Sequence, residues 1–301
     1  MDVARIGSCT IDRFDSNPLI TPASDDAIGT NINGPAAIRV PDWVPDPLGA
    51  YYLYFAHHQG QFIRLAYADD PTGPFTVHPP GTLAIDQTRF DGHIASPDVH
   101  VDHDTRQIRM YFHGCCGPFA HAAESFNQVT DVATSSDGIA FTVRGRTLGN
   151  SYFRVFEHND AHFALANDGH LYRGRDPLAP FERLQELFPT NRHFAMEWLD
   201  EDLLGVYLTR RGDRPERIQR VQIEVSGPPR TWRADPHPPE TVLWPERAYE
   251  GGDQPLHTSQ TGSVHEPVRA LRDPAVFVDG NRRYLYYAVA GEQGIAGARI
   301  R

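Results

Sequence analysis

The sequence predicts an all-β fold: a five-bladed β-propeller whose last blade is closed by the N-terminal strand. Three observations carry this. The apolar residues alternate in short runs rich in aromatic and β-branched side chains, the pattern of strands and not of helices. A group of about four such runs recurs at roughly 50-residue spacing, the rhythm of a propeller. The chain also carries 25 Gly and 25 Pro, the turn residues that many short strands require.

Three repeats align directly. They begin at Asn33 (NGPAAIRV), Ala95 (ASPDVHVD) and Arg272 (RDPAVFVD), each with Pro at its third position followed by an alternating apolar run. An aromatic strand follows each one: AYYLYFAHH from Ala50, IRMYFHG from Ile108 and RRYLYYAVAGE from Arg282. A third strand starts near Phe62 and near Val129, and a short fourth covers Pro74 to Val77 and Ala140 to Val143. Two looser units start near Tyr152 and Arg192. The unit that begins at Arg272 runs out after its third strand, GIAGARI. A closed ring needs that edge covered, and Val3 to Phe14 is expected to cover it. All 301 residues therefore read as one propeller domain.

Composition narrows the function. The net charge is -11 and all 28 basic Lys/Arg side chains are Arg. Such a chain has no broad positive field for nucleic acid or anionic lipid. No apolar stretch reaches the ~18 residues of a membrane span. Cys9, Cys115 and Cys116 form no CxxC spacing, which disfavours a zinc or redox centre. Free thiols and a leader-free N-terminal segment read as cytoplasmic. A homodimer is compatible with all of this.

In a propeller the first strand of each blade lines the axis. The loops leading into that strand, and those joining strands 2 and 3, open on one face. Asn31, Asn33, Asp91, His93, Asp98, Arg154, Glu157, His193, Glu197, His265, Glu266, Arg272 and Asp273 fall on or near the leading loops. His57, His58, His113, Cys115, Cys116, Glu124, Arg210, Arg211 and Glu292 fall on the second set. Carboxylates, imidazoles and guanidinium groups around one mouth suit a polyhydroxylated ligand, whose hydroxyls need donors and acceptors together. A central calcium or sodium ion is compatible with this set, although such ions take mostly oxygen ligands; no cofactor is required. Trp43, Phe90 and Trp198 are stacking candidates that also suit core packing, and Cys115–Cys116 read as small packing residues.

RDPAVFVDGNRRYLYY resembles the RDP blade motif of five-bladed glycoside hydrolases, including families 32, 43, 68 and 117. ASPDVHVD resembles their second-blade motif, and SSDGIAF from Ser135 their Ser-x-Asp-Gly turn. His265-Glu266-Pro267, Leu271-Arg272-Asp273-Pro274 and Ala290-Gly291-Glu292 together are similar to the last blade of family 117, the exo-acting α-neoagarooligosaccharide hydrolases. The resemblance implies a glycosidase acting on short oligosaccharides. It makes His265 a general acid and Glu266 its partner or a ligand for sugar hydroxyls; position beside Pro at the start of an inner strand adds Asp273 and Asp98 as further catalytic carboxylates. Arg272, His93, Asn33, Asp91, Glu197, Arg154, His58 and His113 become substrate-binding residues. The sequence departs from both families. Family 43 keeps its catalytic base in blade 1, where this chain has Asn33-Gly34-Pro35, and the chain is too short for the helical dimerisation segment of family 117. Two rivals stay open: a non-catalytic carbohydrate-binding propeller, and a phosphorylase-like relative with an Arg/His phosphate site.

Overall fold

The structure, a computed structural model, describes residues 9–58, 60–115 and 128–301. Its strands form five antiparallel sheets. Strand β1 (Ile11–Arg13) belongs to the last of them. Blade 1 is β2 (Asn33–Arg39), β3 (Tyr51–Ala56), β4 (Arg64–Ala68) and β5 (Thr76–His78). Blade 2 is β6 (Ile94–Asp102), β7 (Gln107–Cys115) and β8 (Gln128–Ser135), with short β9 (Thr142–Val143) and β10 (Gly149–Asn150) both on β8. Blade 3 is β11 (Arg154–His158), β12 (Ala161–Leu165), β13 (His170–Gly174) and β14 (Glu182–Glu186). Blade 4 is β15 (Asn191–Asp200), β16 (Leu203–Arg210) and β17 (Ile218–Glu224), with β18 (Arg233–Ala234) and β19 (Glu240–Leu243) both on β17. Blade 5 is β20 (Arg272–Asp279), β21 (Arg282–Val289) and β22 (Gly294–Ile300), closed by β1.

The expected closure is present. β1 pairs antiparallel with β22, Ile11 opposite Ile300 and Arg13 opposite Ala298. Arg13 adds a side-chain clasp: its Nε donates to Glu250 Oε1 at 2.7 Å, and Glu250 is fully buried. Of the expected Val3–Phe14 segment, residues 3–8 lie outside the described residues, as do Cys116 and Glu124.

The recurring Pro marks a bulge. The ladder slips between Asn33 and Ala36, between Ala95 and Asp98, and between Arg272 and Ala275. In each case the residue before Pro is left-handed: Gly34 at φ 58, Ser96 at φ 50 and Asp273 at φ 46. A bulge leaves one residue out of the ladder, so Pro's missing N–H costs no hydrogen bond there, and the local bend re-aims the preceding side chain. At Gly34 a side chain would also begin 3.0 Å from the Ser96 Cα. Blade 3 reaches a left-handed residue without Pro, at Tyr152 (φ 65). Asp273 and Tyr152 hold this conformation at a cost of about 1–3 kcal/mol each, so the packing around them must enforce it.

The core lies between blades. One apolar cluster joins blades 1 and 2 through Tyr52, Tyr54, Met110 and Phe112. The four others fill the remaining gaps of the ring. Strand alternation sends side chains to both faces of each sheet, which is why YYLYF and YLYYAV are aromatic or apolar at every position. The Ser-x-Asp-Gly turn is one rivet in this packing. Ser135 and Asp137 cap the turn's backbone N–H groups, and the Gly138 carbonyl accepts from the buried Tyr54 hydroxyl of blade 1 at 2.8 Å.

Candidate active site

The inner strands β2, β6, β11, β15 and β20 all begin on one face, the front. Side chains from all five blades meet there. At the centre is Arg272, with no exposed surface. Its Nε donates to Glu216 Oε2 at 2.9 Å and its Nη1 to Glu292 Oε1 at 2.8 Å. Glu216, from the β16–β17 loop, also accepts from Ser259 Oγ (2.8 Å) and Thr209 Oγ1 (2.9 Å). Glu292, between β21 and β22, accepts from Asn31 Nδ2 at 2.6 Å and faces His58 Nδ1 at 3.1 Å. Burial alone would raise the Glu292 carboxyl, but His58, Arg272 and Arg192 hold it well below the usual carboxylate range. Arg192 lies 3.5 Å from Glu216 and 3.9 Å from Glu292, and donates to the carbonyls of Gln260 and Gly262.

Asp273 sits beside this hub in the opposite electrostatic condition. Burial and the Glu292 carboxylate push it above its usual range, against the pull of Arg192, Arg154 and the Tyr152 hydrogen bond. Its Oδ1 accepts from Tyr152 Oη at 3.0 Å and faces His193 Nε2 at 3.4 Å. The bulge at Asp273 turns this carboxyl to meet side chains of blades 3 and 4. The Arg154 guanidinium stacks 4.1 Å over the Tyr152 ring and donates to the Ser96 carbonyl at 3.2 Å.

Imidazoles form the opposite wall. His58, His93 and His113 follow one another at ring separations of 6.5 and 5.8 Å, and His93 Nδ1 lies 3.5 Å from the Cys115 thiol. Burial pushes His93 down to about 4 and His113 well below its ordinary value. Both rings are therefore neutral near pH 7, each with one donor and one acceptor nitrogen. Asn33 Nδ2 donates to Asn31 Oδ1 at 2.9 Å. Buried nitrogens without a partner among the described residues gather here: Arg272 Nη2, Arg154 Nη2 and His113 Nδ1.

The structure thus brings together Asp273, Arg272, Arg154, His58, His93, His113 and Asn33 of the expected set. It places the others elsewhere. His265 and Glu266 stand on an exposed loop, where His265 Nε2 meets Ser263 Oγ at 3.1 Å. Asp91 is exposed at the lip of blade 2. Asp98 and Glu197 belong to the rear half of the axis, where a cavity of about 330 Å³ is lined by Asp98, His100, Arg154, Glu197, Trp198 and Phe277, among others. Asp98 accepts from the Val155 N–H at 2.8 Å and pairs with His100 at 2.9 Å. Burial alone would raise Asp98, but His100, Arg154 and that N–H hold it low. Glu197 is occupied between blades 4 and 5, accepting from Tyr207 Oη (2.7 Å) and Arg283 (3.2 Å). Trp43 meets His103 edge-on near this rear end, and Phe90 packs in the core against Phe112.

Five members of the cluster do not stand out in the sequence: Tyr152, Arg192, Thr209, Glu216 and Ser259. Tyr152 occupies the left-handed position of blade 3 without the Pro that marks it in three other blades. Glu216 lies on the loop after β16, just beyond Arg210 and Arg211, and a carboxylate close to those arginines is the available signal. Among the described residues no three His, Cys, Asp or Glu side chains are arranged to hold a metal, and no helix is long and apolar enough to cross a membrane.

No protein-family model matches the chain. It is 35% identical over 333 residues to the uncharacterized protein R118 of Acanthamoeba polyphaga mimivirus, a match covering 98% of this chain and 91% of the other. The chain belongs to the family of that mimivirus protein. Among solved structures, this member of the mimivirus-protein family is similar to a glycosyl hydrolase from Bacteroides ovatus, with a TM-score of 0.70, 13% identity, and 97% and 94% of the two chains covered. It is also similar to a structure from the GH130 family of mannoside phosphorylases and glycoside hydrolases (TM-score 0.70, 12% identity, 99% and 96% covered). A third is a β-1,2-mannobiose phosphorylase from Listeria innocua (TM-score 0.65, 12% identity, 96% of each chain). At that identity the shared property is the five-bladed fold of glycosidase-like proteins.

Proposed function

We propose that the protein cleaves glycosidic bonds at the front mouth, with Asp273 as proton donor to the leaving oxygen. The observation that carries this is the condition of Asp273. It is a buried carboxyl, held above its ordinary range and surrounded by polar groups with unused donors. Glycoside cleavage needs such an acid, and solved structures with a similar fold include a glycosyl hydrolase and a phosphorylase. Arg272, His113, His93 and Asn33 would bind sugar hydroxyls. The site is backed by Arg154, whose side chain also borders the rear cavity. A mouth closed behind by Arg154 would take chain ends, so we propose exo-action on short oligosaccharides.

In hydrolysis, Asp273 protonates the leaving oxygen, the C–O bond breaks, a water oxygen bonds to the anomeric carbon, and the proton which that water sheds passes through solvent to reload the Asp273 carboxylate. Phosphorolysis is the second reading, with a phosphate oxygen in place of water. One observation favours it. Arg192 and Arg211 are both held below the ordinary guanidinium range by burial, with repulsion added by Arg272 on Arg192 and by Arg192 on Arg211. An anion between them would relieve that repulsion. The test is a screen of aryl glycosides and of arabinan, fructan, mannan and red-algal oligosaccharides, with and without inorganic phosphate. Asp273→Asn keeps the left-handed backbone, which Asn tolerates, and should lower turnover at least ~100-fold. Full activity in that variant, with loss in His265→Ala, would move the acid to the exposed loop.

A further inference from the structure

We propose that Thr209 and His193 are positioning residues that keep a proton on Asp273 by fixing the tautomer of the imidazole facing it. The inference rests on the reading of Asp273 as proton donor, and it adds the device that keeps the donor loaded.

Hydrogen counting along a buried chain of four side chains carries it. Glu216 Oε2 accepts from Arg272 Nε (2.9 Å) and Ser259 Oγ (2.8 Å), and its Oε1 lies 2.9 Å from Thr209 Oγ1. A carboxylate can only accept, so the single Thr209 hydroxyl hydrogen points to Glu216. The Thr209 oxygen is then an acceptor towards its other neighbour, His193 Nδ1, at 2.8 Å. The hydrogen of that contact must come from Nδ1. Burial, with Arg192 and Arg272 close by, pushes His193 well below its ordinary value, so the ring is neutral. A neutral ring with hydrogen on Nδ1 presents a bare lone pair at Nε2. That lone pair faces Asp273 Oδ1 at 3.4 Å. An ionised Asp273 would set lone pair against lone pair, whereas a protonated one supplies the missing hydrogen.

The rest of the surroundings divide in a consistent way. Glu292, on blade 5, favours the protonated carboxyl, while Arg192 of blade 4, Arg154 of blade 3 and the Tyr152 hydroxyl favour the ionised one. The alternative state, imidazolium beside carboxylate, is drawn by Glu292 and by Glu216, 3.7 Å from Nδ1, but burial together with Arg192, Arg272 and Arg211 outweighs them. Glu216 thus acts at a distance: its charge orients Thr209, Thr209 orients the ring, and the ring holds the acid in its loaded form.

The experiment is nitrogen NMR of ¹⁵N-histidine-labelled protein, which reads the tautomer of His193 directly. It is paired with a carboxyl-carbon titration of labelled Asp273, assigned by its loss in Asp273→Asn. The wild type should show hydrogen on Nδ1. Thr209→Val removes the acceptor and should move it to Nε2, where it donates to the carboxylate; the Asp273 titration then falls by about one pH unit. Thr209→Ser keeps the hydroxyl and should restore both readings. Glu216→Gln is the second variant, for use if Thr209→Val does not fold. Arg272 and Ser259 hold the amide oxygen, its NH₂ faces Thr209, the hydroxyl turns to Nδ1, and the tautomer again flips.

Where a substrate is turned over, the descending alkaline limb of the rate profile should move to lower pH in Thr209→Val and return in Thr209→Ser. Wild-type His193 carrying hydrogen on Nε2, or unchanged in both variants, overturns the relay even if Asp273→Asn is inactive. If no glycoside is cleaved but the NMR shifts occur, the relay stands and the glycosidase reading falls.

Discussion

Replacing Arg272 by Met tests the hub on which the front mouth is built. The guanidinium has no exposed surface and bonds two carboxylates, at 2.9 and 2.8 Å. Removing one partner of a buried ion pair costs about 3–5 kcal/mol, because the remaining charge has no water to turn to. Here two carboxylates lose the same partner, but neither is stripped. Glu216 keeps Ser259, Thr209 and Arg192; Glu292 keeps Asn31, His58 and Arg192. The lower bound is therefore the better expectation, about 3 kcal/mol. For a chain of this size that is a fall in Tm of roughly 6 °C. Urea unfolding followed by tryptophan fluorescence measures it, with the m-value checked for constancy between variants. Arg272→Met combined with Glu292→Gln supplies the control. If the two residues act as a pair, the double variant loses less than the sum of the single ones, by about 0.5–3 kcal/mol. A loss under ~1 kcal/mol in Arg272→Met would mean that the hub is solvated, and the burial argument for Asp273 would go with it.

Two further outcomes follow from the packing. His93, at about 4 in the folded protein against an ordinary 6.5, takes its proton later than the unfolded chain does. Its contribution to stability is complete above 6.5, shrinks as pH falls towards 4, and totals about 3 kcal/mol. His93→Asn should flatten the stability profile over that interval in pH-dependent urea melts, and an unchanged slope would place the titration elsewhere. Arg13→Met leaves the buried Glu250 without its ion-pair partner and should cost about 3 kcal/mol. Hydrogen exchange should show the loss first in β1 and β22; uniform loss across all blades would contradict a local clasp.

The ring was readable in the sequence because each blade carries its own alternation, and because NGP, ASP and RDP stand at the same point of three blades. Those motifs signalled the start of an inner strand. They did not reveal that the residue before Pro is left-handed, since φ depends on the bulge and not on the residue: Gly34 needs no enforcement, whereas Ser96 and Asp273 do. The site was legible where one motif supplies both position and chemistry, as at Arg272 and Asp273. It was illegible where the chemistry comes from the side of a middle strand. Thr209 is an ordinary β16 residue until Glu216 and His193 are seen on either side of it. Asp98 and Glu197 show the converse. Each is an acid on an inner strand, but the strand's period turns one to the Val155 N–H and the other into the seam between blades 4 and 5. His265-Glu266 reads as a motif, yet its loop leaves both side chains in solvent.

The pairing of β1 with β22 also sets an order of events during synthesis. Ile11–Arg13 leave the ribosome long before their partners, Ala298–Ile300. At ~5–20 residues per second the wait is roughly 15–60 s. Blades 1 to 4 each draw on a single stretch of chain and can form as they appear, whereas the fifth is assembled from both extremes. Through most of that interval the nascent protein is an open arc in which Arg272, Asp273 and Glu292 have not yet been made. The front cluster and the closed ring therefore assemble together, and a partly synthesised arc has neither.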